Sequence, residues 1–305
     1  MQSVRLLLTE IVDYAGLFPP AKLDMDPVVR NYGAYLCSKD QWMLGRVIIP
    51  VARLDEFEAA AAELLPTTDD HEIWKISALM PPASDADLDA LYKRIAEFND
   101  KHEDPANGCA LIDAVEIKAT KSEHIDRVMN ENPAGLRTFF EIPIDEDPRG
   151  LIAALAGADD EAPVCAKVRT GGVTPDLFPS CADIARFLIA CNAAHVGFKA
   201  TAGLHHPVRH HDSNVGAPMH GFLNVFLAAA GIMVDELDEH DAIQLLEERD
   251  EYAFRFTDCC AAWRDLSLDD GQLALTRERF ALSFGSCSFI EPIDDLKELE
   301  IFPND

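Results

Sequence analysis

Strand-like and helix-like stretches alternate along this chain with a regularity that leaves few folds open to it. Short apolar runs rich in β-branched and aromatic residues fall at 8–13, 46–50, 73–80, 111–118, 136–143, 164–169, 195–201 and 281–286. Between them, apolar residues recur with helical spacing over 27–37, 54–65, 85–99, 122–130, 148–156 and 181–194. Asp55, Asp85 and Ser180 stand at or near helix starts, and Pro27 and Pro148 suit a first turn. Strands that alternate with helices pair in parallel through right-handed crossovers, and eight of them are expected to close into a (β/α)8 barrel. The interval 204–280 breaks the rhythm. Its helical patterns, at 222–233 and 241–248 among others, read as an enlarged helical insertion between strands seven and eight, over or beside the barrel mouth. No repeat or flexible linker interrupts the chain, so its 305 residues are expected to form one domain.

Composition narrows the partners. A net charge of −28 argues against nucleic acid and against anionic membrane surfaces. No apolar run is long enough to span a bilayer, and Met1 to Val12 lacks the pattern of a secretory signal. The eight cysteines form no Cys-x-x-Cys pair, which points to a reducing, cytoplasmic setting. Cys259 and Cys260 are expected as buried thiols on a helix.

Two lysines carry the chemistry. Lys167 in Val-Cys-Ala-Lys-Val-Arg-Thr-Gly-Gly and Lys199 in Val-Gly-Phe-Lys-Ala-Thr-Ala-Gly each lie near the C-terminal end of an expected buried strand, where barrel active sites gather. Burial and mutual repulsion would both lower a lysine pKa and yield the neutral amine that attacks a carbonyl. Side chains alternate along a strand, so Glu116 with Lys118, Lys167 with Arg169, and Lys199 with Thr201 each share a face, while Glu141 closes strand five. Six ionisable groups on four consecutive strands are expected to ring a cavity floor. A self-neutralising network of salt bridges is the structural alternative, and the two are compatible.

Lys-Val-Arg-Thr-Gly at 167–171, Gly-Phe-Lys-Ala-Thr-Ala-Gly at 197–203 and Phe-Gly-Ser-Cys-Ser at 284–288 occur in this order. They resemble the paired lysine strands and last strand of deoxyribose-phosphate aldolases and related class I aldolases, a TIM-barrel superfamily. Ile11-Val12-Asp13, 47–50 and Val115-Glu116-Ile117 echo the same family, and the echoes span most of the chain outside 204–280. The resemblance implies Lys167 as the Schiff-base lysine and Lys199 as its electrostatic partner. It implies Glu116 as the acidic proton relay, in place of the family's Asp, and Asp13 as a supporting carboxylate. Gly171, Gly203, Gly285 and Ser286 match small residues that cradle a phosphate. The chain departs where the family reads Gly-Gly-Val-Arg, having Ala202-Gly203-Leu204-His205, and Gly172 stands where Lys is common. His205 is then only partly charged near pH 7, and Arg169 is a substitute cation for a carboxylate or phosphate.

The run His205-His206-Pro207-Val208-Arg209-His210-His211-Asp212 follows strand seven, and His205 and His206 are candidates for substrate contact or acid–base work. Its spacing fits no standard metal motif. Tyr14, Phe18, Pro19 and Pro20 are candidates for the pocket wall, and 222–233 for a packed helix that would serve as an oligomer contact if exposed. The reading is therefore a cofactor-free class I aldolase or lyase. Its catalytic residues are Lys167, Lys199, Glu116 and Asp13, and its substrate contacts are Arg169, Gly171, Gly203, His205, His206, Gly285, Ser286, Lys118 and Glu141. The substrate implied is a small carbonyl compound, with phosphate or carboxylate groups left open. Barrel enzymes of this type often pair through outer helices, which leaves a homodimer open. A metal-dependent lyase or hydrolase built on the histidines, and a barrel that binds a small anion without catalysis, are the alternatives.

Overall fold

Eight parallel strands close on themselves in the computed structural model, which describes residues 1–68, 73–132, 135–158 and 162–301. In chain order the barrel strands are β1 (Val12–Tyr14), β2 (Leu44–Pro50), β3 (Trp74–Leu79), β4 (Ala110–Lys118), β5 (Arg137–Glu141), β6 (Val164–Arg169) and β7 (Phe198–Thr201). Two short strands, β8 (His210–Asp212) and β9 (Ala217–Met219), form a hairpin. Then β10 (Phe254–Phe256), β11 (Cys260–Trp263) and β12 (Leu266–Asp269) make an antiparallel sheet, and β13 (Ala281–Ser286) returns to the barrel between β7 and β1. The fold is a (β/α)8 barrel, as the alternation requires.

The helices are α1 (Gln2–Leu8), α2 (Met25–Leu36), α3 (Leu54–Ala61), α4 (Leu88–His102), α5 (Ser122–Glu131), α6 (Arg149–Gly157), α7 (Cys181–Ala193), α8 (Phe222–Met233), α9 (Glu239–Glu247), α10 (Asp270–Arg279) and α11 (Ile290–Glu298). Ser180 caps α7 in a reciprocal capping box with Asp183, and Asp87 rather than Asp85 caps α4. The N-terminal run differs from expectation. Leu8 ends α1 and the first strand begins at Val12, because Val4, Leu7 and Leu8 bury one face at helical spacing.

The interval between β7 and β13 holds strands as well as helices, and this explains the composition of α8. That helix is buried from Phe222 to Ile232 and apolar but for Asn224, whose amide bonds the Arg209 N–H and the Leu245 and Glu248 carbonyls. One face meets the barrel, where Phe222 stacks on Phe284 at 5.2 Å and Phe226 lies 6.3 Å from Phe198 and 6.0 Å from Phe284. Neighbouring α7, α9, α10 and β12 cover the rest. A helix with no polar stripe requires such wrapping. Cys259 lies just before β11 and Cys260 opens that strand, exposed and half-buried, not on a helix; the Thr257 hydroxyl contacts both thiols.

Inside the barrel, side-chain alternation builds layers. Ala114, Phe139 and Cys165, with Leu282 against them, form an apolar cluster separate from the main core. Two residues further along the same strands come Glu116, Glu141 and Lys167. The charged layer thus rests on an apolar plug. We expect Phe226→Ala, which empties the seam between α8 and the barrel, to lower unfolding free energy by about 3–5 kcal/mol in urea titration, with the Lys167 region unchanged. A shift below 1 kcal/mol would mean that α8 is not integral to the barrel wall.

Candidate functional site

Strand register sets the site before any side chain is considered. Lys167 lies beside Lys199 across β6–β7 and beside Glu141 across β5–β6, while Asp13 lies beside Gly285 across β1–β13. All of these side chains point into the barrel near the C-terminal strand ends.

Lys199 is fully buried and donates to Asp13 Oδ2 at 2.5 Å and Glu116 Oε1 at 2.7 Å. Its Nζ stands 5.1 Å from the Phe139 ring centroid, against the negative face of the aromatic system. Asp13 is held by further donors, the Ser283 hydroxyl at 2.7 Å on Oδ2 and the Arg46 backbone N–H at 2.8 Å on Oδ1. Gly45 is required beside it, since a Cβ there would stand 2.5 Å from Asp13 Oδ1. Glu116 bridges the two lysines. Its Oε1 accepts from Lys199 and from the Ser77 hydroxyl at 2.7 Å, and its Oε2 meets Lys167 at 2.9 Å. Lys167 also meets Glu141 Oε2 at 2.8 Å, and Glu141 Oε1 accepts from Arg169 Nε and a terminal guanidinium nitrogen at 3.2 and 3.1 Å.

Three cations, Lys167, Arg169 and Lys199, therefore face three carboxylates, Asp13, Glu116 and Glu141, in one continuous network. Buried charges persist when they are paired in this way. The pairing corrects the expectation of a neutral resting lysine. Burial works against the charge on Lys167, but Glu116 and Glu141 more than reverse it, and its pKa lies above the ordinary lysine value. Burial likewise opposes ionisation of Glu116 and Glu141. Lys167 and Lys199 outweigh it at Glu116, Lys167 and Arg169 at Glu141, and both carboxyls lie below the usual range. The Lys167–Lys199 repulsion invoked from sequence is screened by Glu116 between them.

Above this network opens a cavity of about 350 Å3. Lys167, Glu116, Glu141, Arg169, Gly203, His205 and Gly285 line it, together with Phe18, Pro19 and Pro20 from the first loop. Gly285 keeps the floor open, because a Cβ there would stand 3.3 Å from both Ile48 and Thr201. Lys199 and Asp13, both fully buried, are not among the lining residues. Of the two lysines, Lys167 is the one that lines this cavity.

The remaining sequence candidates divide. Ser286 is buried behind the wall, its hydroxyl 3.3 Å from His205 Nδ1. His205 Nδ1 also faces Glu291 at 3.4 Å and the Cys287 thiol at 4.0 Å. Burial pushes the His205 pKa down, but contact with Cys287 and Glu291 outweighs it and raises the value to about 9, so this histidine is charged at neutral pH rather than partly charged. Lys118 is exposed at the end of β4 and His206 pairs with Asp295 of α11 at 2.5 Å; neither lines the cavity. Tyr14 is buried behind it against Tyr35. Among the described residues, no three His, Cys, Asp or Glu side chains are grouped so as to hold a metal ion. Among the described residues, no helix is long and apolar enough to cross a membrane.

Gly171 lies outside the cavity, and its surroundings differ from an open anion nest. A Cβ on Gly171 would fall 2.5 Å from the Phe178 ring, and one on Gly203 would meet the same ring at 3.2 Å. The loop carrying Phe178 is tied down by His220, whose Nε2 reaches the Pro179 carbonyl at 2.8 Å while its Nδ1 faces Arg209 at 3.0 Å. Burial and the Arg209 charge push the His220 pKa down to about 4, so the neutral ring accepts from Arg209 and donates to Pro179. Sequence reasoning missed Ser77 and Ser283, which orient Glu116 and Asp13. Their one signal is a lone hydroxyl in an apolar strand.

The linkage has a definite sign. The depressed carboxyl pKa of Glu116 contributes stability that is present above its unfolded value, about 4.3, and is lost as pH falls through the folded value. Glu116→Gln should lower unfolding free energy at pH 7 by roughly 3–5 kcal/mol, because both lysines lose a counter-charge. It should also flatten the decline in stability below about pH 4. An unchanged acid limb, measured by denaturation across pH 2–7, would remove Glu116 from this role.

Comparison of the chain with protein-family models and with curated protein sequences finds no match to either.

Proposed function

We propose that this protein is a class I aldolase or lyase in which Lys167 forms a Schiff base with a small carbonyl substrate. The observation that carries the reading is the presentation of Lys167 to a 350 Å3 cavity, with Glu116 and Glu141 each within 2.9 Å of its Nζ. The resemblance of 167–171, 197–203 and 284–288 to class I aldolases points the same way.

Resting Lys167 is an ammonium, so the first event is proton transfer. Glu141 or Glu116 takes a proton from Nζ when substrate enters and water is expelled, since both are already in contact with it. The free amine attacks the carbonyl carbon, and the oxygen is protonated to a carbinolamine. That oxygen leaves as water with a second proton, and an iminium remains on Nζ. The whole conversion exchanges an ammonium and a carbonyl for an iminium and a water. No net proton is taken up and the charge on Lys167 is unchanged, so the network stays balanced. The iminium then accepts the electron pair released when the adjacent carbon–carbon bond breaks, or supplies it as an enamine when one forms.

Lys199 acts from below. It holds Glu116 and Asp13 in place and limits how far Glu116 can retain a proton, returning it to the reacting atoms. A metal-dependent reading has less support, because among the described residues the histidines of 205–211 join no group of three metal-ligating side chains. His205 faces the cavity, His206 faces Asp295, and His210 packs edge-on to His206 at 4.3 Å.

Borohydride reduction in the presence of small aldehydes and ketones should leave a stable adduct on Lys167, located by peptide mass mapping and absent in Lys167→Ala. With Lys199→Met the adduct should form at least about 100-fold more slowly, in line with the 10²–10⁴-fold typical of a lost acid–base function. Absence of an adduct on Lys167 with every carbonyl tried would sink the Schiff-base reading.

A further inference from the structure

We infer that the substrate is an uncharged carbonyl compound bearing an apolar substituent of aryl or short-alkyl size, taken up without a phosphate or carboxylate clamp. The inference rests on the Schiff-base reading for the carbonyl, but its argument comes from the cavity walls.

The place where a phosphate would be cradled is filled. The Phe178 ring lies over Gly171 and Gly203, and Leu177 lies over Gly172, where a Cβ would stand 2.4 Å from its side chain. His220 fastens this loop through Pro179, next to Phe178. The small residues therefore make room for apolar side chains of the protein itself.

The cations that face the cavity are also closed. Lys167 meets Glu116 and Glu141, Arg169 meets Glu141, and His205 meets Glu291. An entering anion would be desolvated beside carboxylates that already hold these cations, of which Arg169 is the one about half exposed. It would also approach a chain of net charge −28. A neutral carbonyl meets neither penalty, because the iminium carries the same single charge as the ammonium it replaces.

The rest of the wall is suited to such a compound. Phe18, Pro19, Ile48, Leu79, Val173 and Leu177 face the space above Lys167. Pockets recognise ligands by apolar enclosure with a few polar groups that fix orientation, and here those groups surround the reacting nitrogen.

The test compares half-saturating concentrations for borohydride trapping on Lys167 of the full chain. Benzaldehyde, hexanal and 4-phenylbutan-2-one form one set, and glyceraldehyde 3-phosphate and pyruvate the other. The neutral set should trap at concentrations at least about tenfold lower, and Phe18→Ala should raise those concentrations by roughly tenfold while leaving the charged set unchanged. If a charged carbonyl traps at the lower concentration, the inference is overturned and the Schiff-base reading stands. If nothing traps, the Schiff-base reading fails, and thermal denaturation decides the inference separately. A rise in Tm with benzyl alcohol or 4-phenylbutan-2-ol, diminished in Phe18→Ala, supports an apolar site. A rise with inorganic phosphate alone, or with none of these probes, overturns it.

Discussion

The contact on which the site depends is the buried bridge from Asp13 through Lys199 to Glu116. It joins the first, fourth and seventh strands of a closed barrel with donor–acceptor distances of 2.5 and 2.7 Å. In a low-dielectric interior none of the three groups could remain charged alone. Together they permit a charged layer above the apolar plug of Ala114, Phe139 and Cys165. Ser77 and Ser283 supply further donors to the carboxylates, and Gly45 leaves room for Asp13. Glu116, held in this bridge, also meets Lys167 at 2.9 Å and so ties the buried lysine to the one that lines the cavity.

The network also changes how the lysine pair works. In a simple two-lysine picture, one ammonium lowers the pKa of the other by repulsion. Here Glu116 lies between them and Glu141 flanks Lys167 on the other side, so the resting state is a matched ion network. Under the proposed function, activation would then require substrate entry and local proton transfer rather than a standing neutral amine. In the proposed Schiff-base reaction, the iminium would inherit the counter-charges of the ammonium.

The elements around the barrel serve this layer at a distance. The buried α8, apolar but for Asn224, seals the wall between β7 and β13 because α7, α9, α10 and β12 surround it. The hairpin of β8 and β9 ends at His220, which fastens the loop bearing Phe178. That loop then closes the glycine corner of the mouth. The long interval after β7 thus shapes the pocket as well as enlarging the barrel.

The barrel was legible in the sequence because periodicity is local. Alternation of apolar runs with helical patterns needs no knowledge of distant residues, and Glu116, Glu141, Lys167, Arg169 and Lys199 reach the strand ends by the same two-residue period. The first strand was misplaced for a local reason too, since Leu6-Leu7-Leu8 is apolar enough for either period. What the sequence determined by itself was which residues could meet at the mouth. Only tertiary structure decided the charge state of Lys167, which depends on Glu116 and Glu141 brought against it from other strands. It also decided that Phe178 occupies the glycine corner and that His206 and Lys118 stand outside the cavity. Charge pairing and volume filling are properties of atoms in contact, and the closure of the barrel is what brings those atoms together.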